Sequence, residues 1–231
     1  MAFCEWIIKD DIFVVTLGCS DDGHSFQIEQ SLKDLEKALQ DIHKHARCTS
    51  KGLVTTSRGE LFCNGVGDQA PMPMAKELAH LMARVVRELF NMPFPTVAAV
   101  TGHVKSSLAL ALLLAHDEVL TMKEAKYELK EVRDGGFCMP SYTAALLRDK
   151  AGYPRMTSSM VLRSETMLGS DLNYWEVIDH FIYDQDGVER ASNIITGSFG
   201  PVHHGEAYVT TRKSFFPESW KAVSEFLGDD H

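Results

Sequence analysis

Leu61-Phe62-Cys63 runs into a glycine-bearing loop in which Gly65-Val66-Gly67-Asp68-Gln69-Ala70 has the G-x-G-x-x-[GA] form of a dinucleotide cradle. That chemistry needs a helix to start on the glycines, so that free backbone N–H groups face the pyrophosphate. Pro71 and Pro73 fall where its first turns would be, and Arg58-Gly59 breaks the segment before it, so a nicotinamide site is not predicted. His43 and His45 lie two apart on a predicted helix and face different ways, while His203-His204 has no acidic neighbours at ligand spacing. All four read as solvated or locally bonded, and no metal site is predicted. Cys63 and Cys138 have no histidine placed to activate them and read as small core residues. The run Glu124, Lys126, Glu128, Lys130, Glu131 holds several carboxylates, but by composition it is a solvated face.

The elements that must position such residues follow from periodicity. Trp6 to Leu17 predicts two short strands around Asp10-Asp11. Leu32, Leu35, Leu39 and Ile42 mark an amphipathic helix over 31–45, and Leu78, Leu81, Met82, Val85 and Leu89 another over 74–91. Strands are predicted at 51–57, 96–100 and 118–122, with Arg58-Gly59-Glu60 and Thr101-Gly102-His103 as turns and a backbone-rich loop from Leu61. Between the last two strands lies Ser106–Ala115, apolar on every side and therefore expected to be a central, buried helix. Further helices are predicted at about 141–150, 155–162 and 188–196, with one opening at Asp171 and leading into a strand at 181–183. A C-terminal helical stretch broken at Pro217 follows. No linker and no repeat divides the chain, so one α/β domain over 1–231 is expected, with a core to about 150 and a mainly helical remainder.

Composition sets the outer bounds. The 231 residues are 45% hydrophobic and 24% charged, which excludes disorder and coiled coil as the main state. A net charge of −9 argues against a nucleic-acid partner. Five scattered cysteines without a C-x-x-C pair suit an intracellular, non-secreted protein, and the longest apolar run, Leu108 to Ala115, is too short to span a membrane. The C-terminal Gly-Asp-Asp-His is not a peroxisomal address of the S-K-L type.

Four segments together point further. Phe62-Cys63-Asn64-Gly65 follows a strand, and Pro95-Thr96-Val97-Ala98-Ala99-Val100-Thr101-Gly102-His103 precedes the buried helix. His116-Asp117 ends that helix, and Tyr127 to Glu131-Val132 comes next. In order and spacing these resemble the crotonase, or enoyl-CoA hydratase/isomerase, superfamily. Within it the chain is most similar to plant Δ3,Δ2-enoyl-CoA isomerases, reinforced by Gly205 to Glu218. The resemblance implies a spiral of β-β-α units with a helical C-terminal region, a homotrimer, an acyl-CoA thioester as substrate with no separate cofactor, and a peroxisomal or cytosolic place in fatty-acid β-oxidation.

It also implies site residues. Two backbone N–H groups hold the thioester oxygen while a carboxylate moves a proton beside the carbonyl. One donor maps to Val66, the other to Ser107 or Leu108, and Glu131 maps to the single acid/base. Lys51, Lys105 and Lys213 are candidates for the CoA phosphates. Hydration would need a further acid in the buried helix, where the chain has Leu110, Ala111 and Leu112, so isomerisation is favoured. Two departures stand out. The turn Gly102-His103-Val104-Lys105-Ser106-Ser107-Leu108-Ala109 carries side chains where the family has glycines and is one residue longer. After Glu131 the pattern Asp-x-Gly-Leu-x-Pro is echoed by Gly135 and Pro140 with one residue extra. They motivate an alternative, a non-catalytic acyl-CoA-binding or interaction protein; a lyase or decarboxylase using the same enolate is a third reading.

Overall fold

The computed structural model describes residues 4–18, 25–63, 72–129, 131, 138–151, 154–183, 186–199 and 205–228. The chain opens with the expected hairpin, β1 (Cys4–Lys9) and β2 (Ile12–Gly18), paired antiparallel. Its turn residues Asp10 and Asp11 both take positive φ, 53° and 65°, as a two-residue turn matched to strand twist requires. Aspartate tolerates that region better than most residues.

β2 starts a parallel array with β3 (Gly52–Arg58), β5 (Thr96–Val100), β7 (Glu118–Met122) and β10 (His180–Ile182), giving a six-stranded sheet in the order β1-β2-β3-β5-β7-β10. A smaller sheet has the order β4-β6-β8-β9, from β4 (Leu61–Cys63), β6 (His103–Lys105), β8 (Lys126–Glu128) and β9 (Met167–Leu168). Three times the chain leaves the large sheet, turns a corner into the small one, and in the first two passes returns through a helix. These are the β-β-α units that the resemblance implies. At the β5–β6 corner a Cβ on Gly102 would stand 2.6 Å from the Glu60 carbonyl oxygen, so only glycine lets the two corners cross. The predicted turn at 101–103 is therefore shorter than expected, because His103 already belongs to β6.

α1 (Ser25–His45) and α2 (Met72–Phe90) pack side by side with their predicted apolar residues buried. α3 (Ser107–Leu114) has all eight residues buried, held between α2, α4 (Ser141–Lys150) and the strands β6 and β7. α5 (Pro154–Leu162) and α6 (Gly169–Tyr174) follow. α6 corrects the expected helix opening at Asp171. The Asp171 carboxylate accepts the Leu168 N–H at 2.8 Å, so this residue closes the capping interaction from inside the first turn, and the helix ends at Tyr174. α7 (Gly187–Gly197) covers the outer face of the large sheet, with Ala191 and Ile195 on Val14, Val54, Val97 and Leu120. α8 (Glu206–Phe215) and α9 (Pro217–Leu227) divide at Pro217, as predicted. Among the described residues no helix is long and apolar enough to cross a membrane.

The C-terminal end of α3 is tied down by polar groups. Buried His116 bonds the Leu112 carbonyl through Nδ1 at 2.9 Å and Thr55 Oγ1 through Nε2 at 2.8 Å. Burial pushes its imidazole down from 6.5 to about 4, and the nearby Lys150 charge pushes the same way. The unfolded chain takes up this proton from pH 6.5 and the folded protein only near pH 4, so stability is complete above 6.5 and falls between those values. At about 1.4 kcal/mol per pH unit the expected loss is about 3 kcal/mol. Urea unfolding of the protein and of His116→Gln across this range checks it; equal pH slopes in the two would assign the loss to other groups.

Candidate active site

β6 and β8 end side by side, with Val104 opposite Tyr127 and Lys105 opposite Glu128. Ser106 then turns the chain into α3. Its N–H donates to the Glu128 carbonyl at 2.9 Å, its carbonyl accepts the Leu110 N–H at 3.1 Å, and its Oγ accepts the Leu108 N–H at 3.2 Å. This is an N-cap, and Ser-Ser before an apolar run is the sequence signal for it. The residue sits at φ 86° and ψ 147°, a conformation that favours glycine.

The cap decides which amide meets which acceptor. Leu108 N–H is committed to Ser106 Oγ, whereas Ser107 N–H donates to the carboxylate of Glu131. Of the two positions expected to present a donor, Ser107 is thus the one whose amide meets the predicted acid/base. Glu131 is half-buried, three residues beyond the end of β8. The charged run splits accordingly: Glu124 and Lys126 are exposed, and Glu131 turns onto the first residue of α3. Helix N-termini favour a negative charge at this place, whether a carboxylate or an oxyanion.

Val66, with the rest of the loop at 64–70, lies outside the described residues, as do Gly135, His203 and His204. β4 delivers the chain toward that loop at Cys63, which is paired with Val104, three residues before Ser107. Lys105 is half-exposed and two residues from Ser107. Lys51 and Lys213 are engaged elsewhere: Lys51 bonds the Asp10 carbonyl at 3.0 Å on the β1–β2 turn, and the Lys213 ammonium lies 3.9 Å from the centre of the Trp220 ring. Cys63 is half-buried and Cys138 exposed, which corrects the expectation that Cys138 is a core residue; it lies just before α4, outside the packed layers. His45 is locally bonded, with Nδ1 2.7 Å from the Asp41 carbonyl oxygen. Among the described residues no three His, Cys, Asp or Glu side chains gather to hold a metal.

Sequence reasoning did not find the Ser106 cap or the pairing of Asp117 with Arg212. Arg212 Nη2 and Nε meet the two Asp117 oxygens at 2.6 and 2.7 Å, directly beyond the buried end of α3. Burial opposes ionisation of Asp117, yet the Arg212 charge and its hydrogen bonds hold the carboxyl below the usual carboxylate range.

Comparison with known proteins identifies the family and the fold. The sequence profile of the family described as enoyl-CoA hydratase/isomerase matches residues 9–197. Enoyl-CoA delta isomerase 2, peroxisomal, from Arabidopsis thaliana is 30% identical over 224 residues, 91% of this chain and 90% of that protein. Enoyl-CoA delta isomerase 3 from the same plant is 29% identical over 227 residues, 93% and 92% of the two chains. Among solved structures, an enoyl-CoA hydratase from Mycobacterium ulcerans superimposes with a TM-score of 0.82 at 18% identity, covering 98% of this chain and 96% of its own. Human mitochondrial delta3-delta2-enoyl-CoA isomerase does so with 0.79 at 13% identity, covering 98% and 91%. At those identities the likeness is one of fold.

Proposed function

The chain belongs to the enoyl-CoA hydratase/isomerase family, and from that premise we propose that it is a Δ3,Δ2-enoyl-CoA isomerase with Glu131 as its single acid/base. The observation that carries the reading is the Glu131 carboxylate on the Ser107 N–H at the start of α3. It brings a base and an oxyanion donor to one point.

The steps follow from these groups. The thioester oxygen takes over the Ser107 N–H, with Val66 N–H as the second donor, and the displaced carboxylate meets C2 of the 3-enoyl chain. It removes a C2 proton, and the electron pair spreads through the C3–C4 double bond and the carbonyl to give a dienolate, held by the two N–H groups. The same carboxyl returns the proton at C4, leaving the double bond at C2–C3. One carboxylate that reaches both carbons is sufficient. The apolar Leu110, Ala111 and Leu112 of α3 supply no second acid to activate water, which favours isomerisation over hydration. Lys105 is the cation best placed for the CoA phosphates, since Lys51 and Lys213 have other partners.

The peroxisomal designation of the Arabidopsis enoyl-CoA delta isomerase 2 supports a role in peroxisomal β-oxidation, and the trimer of the family is the assembly expected. A second reading, an acyl-CoA binder without turnover, is favoured by the side chains at Ser107 and Leu108 and by the amide already occupied by Glu131.

A spectrophotometric assay with 3-hexenoyl-CoA, run beside a titration with hexanoyl-CoA, separates the two. Conversion to the 2-enoyl thioester is the expected result. Binding without turnover would establish the second reading, and neither would refute both.

A further inference from the structure

Ser107 brings more than an N–H to this point. Its side chain is 2% exposed, and its Oγ has no hydrogen-bond partner among the described residues. An unpaired buried hydroxyl is costly, and alanine at the first position of an apolar helix would avoid the cost. Hydroxyls at the two ends of α3 are otherwise employed: Ser106 Oγ caps the helix, and Thr55 Oγ1 bonds His116. Three buried hydroxyls among the described residues have no partner, those of Ser107, Thr143 and Ser164, and of these Ser107 is the residue whose amide holds the predicted base.

The hydroxyl does not meet the Glu131 carboxylate in the unliganded chain, but N and Oγ of one serine are separated by only Cα and Cβ, so a turn about Cα–Cβ to a gauche rotamer lets both face one acceptor. In the unliganded chain the acceptor on the amide is Glu131. When that carboxylate moves to the substrate, the thioester oxygen takes its place. We propose that Ser107 is a catalytic residue whose Oγ–H donates an additional hydrogen bond to the thioester oxygen, in parallel with its own N–H. The inference rests on the enolate of the isomerase reading and adds a donor to it. Negative charge grows on that oxygen as the proton leaves C2, so the bond strengthens toward the transition state and acts on kcat more than on KM. A side chain in place of the family's glycine is then an extra donor. The unpaired hydroxyl is its cost in the empty site.

The test compares the protein with Ser107→Ala and Ser107→Gly, both of which keep the amide. Three quantities are read: kinetics on 3-hexenoyl-CoA, the pH at which bound acetoacetyl-CoA ionises to its enolate, followed by ultraviolet absorption, and the thermal midpoint. Both variants are expected to lose about tenfold or more in kcat with KM held. The ionisation of bound acetoacetyl-CoA is expected to move up by about one pH unit. The midpoint of Ser107→Ala is expected to stay or rise, because an unpaired hydroxyl has been removed; a merely structural serine would lower it. Unchanged or raised turnover in both variants would overturn the proposal, since the side chain would then only fill space. So would lost turnover with a lowered midpoint and an unmoved enolate. If the unaltered protein ionises acetoacetyl-CoA without isomerising hexenoyl-CoA, the isomerase reading fails alone, and the enolate shift in Ser107→Ala still decides the serine. No enolate in the unaltered protein overturns both.

Discussion

Replacing Glu131 by glutamine is expected to lower isomerase turnover by about 10²- to 10⁴-fold, the range that a positioned acid/base contributes. The substitution changes little else. The carboxamide oxygen of the introduced glutamine can accept the Ser107 N–H that the carboxylate accepts now, so the start of α3 keeps its partner. What is lost is the ability to carry a proton from C2 to C4. Affinity for hexanoyl-CoA, which has no double bond to move, should therefore be retained. Glu131→Asp separates position from charge. It keeps the base but draws it back by one methylene, and a displacement of about 1 Å is worth about 10²-fold in a reaction that depends on near-attack geometry. Steady-state rates on 3-hexenoyl-CoA with a parallel binding titration check both variants. Turnover of Glu131→Gln equal to that of the unaltered protein would remove this residue from the mechanism.

How far this site can be read from the chain depends on the element that carries each residue. β5, β7 and α4 have the predicted boundaries, because a proline, a turn or a clear apolar run marks each end. α3 was legible for a different reason: a segment apolar on every side has nowhere to go but the core. β4, β6 and β8 escaped notice because three residues are too few to establish a period of two, whereas β10, equally short, is betrayed by the aromatic and β-branched Phe181-Ile182-Tyr183. Yet around β8 the alternation is visible once the strand is known. Ala125, Tyr127 and Leu129 are buried while Glu124 and Lys126 are exposed, and Glu131 is the next position in phase with the buried set. The run that looked solvated by composition thus has an inward face, and Glu131, the proposed acid/base, is half-buried beyond it. The choice between Ser107 and Leu108 was open in the sequence, since it turns on which amide the Ser106 hydroxyl takes. The Asp117–Arg212 pair joins residues 95 apart, and no local pattern encodes it.

That pair has the largest expected effect on stability. Arg212 is 5% exposed and serves six acceptors: the two Asp117 oxygens and the carbonyls of Leu89, Phe90, Met92 and Phe94. Leu89 and Phe90 are the last residues of α2, whose carbonyls have no partner within their own helix, so a side chain of α8 caps the end of α2. Asp117 in turn accepts the Thr96 N–H at 2.8 Å and the Tyr208 hydroxyl at 3.2 Å, which joins β5 and α8 to the end of α3. Arg212→Ala would leave a buried carboxylate and four carbonyls without their cation. The expected cost is about 3–5 kcal/mol, the range for breaking one side of a buried pair. For a chain of this size it corresponds to a fall of roughly 6–20 °C in the thermal midpoint. Arg212→Lys should recover little, because an ammonium offers three donors at one point where the planar guanidinium spans two groups of acceptors. Thermal and urea unfolding of both variants measure this, and a midpoint within about 2 °C of the unaltered protein would show that the network contributes little. The consequence reaches the chemistry. Asp117 lies three residues beyond α3, an eight-residue helix whose other end presents the Ser107 amide. A helix is rigid along its axis, so a staple at one end fixes the height of the proposed oxyanion donor at the other. Arg212→Ala assayed well below its midpoint should therefore also lose kcat, and Glu131→Gln should leave the midpoint unchanged.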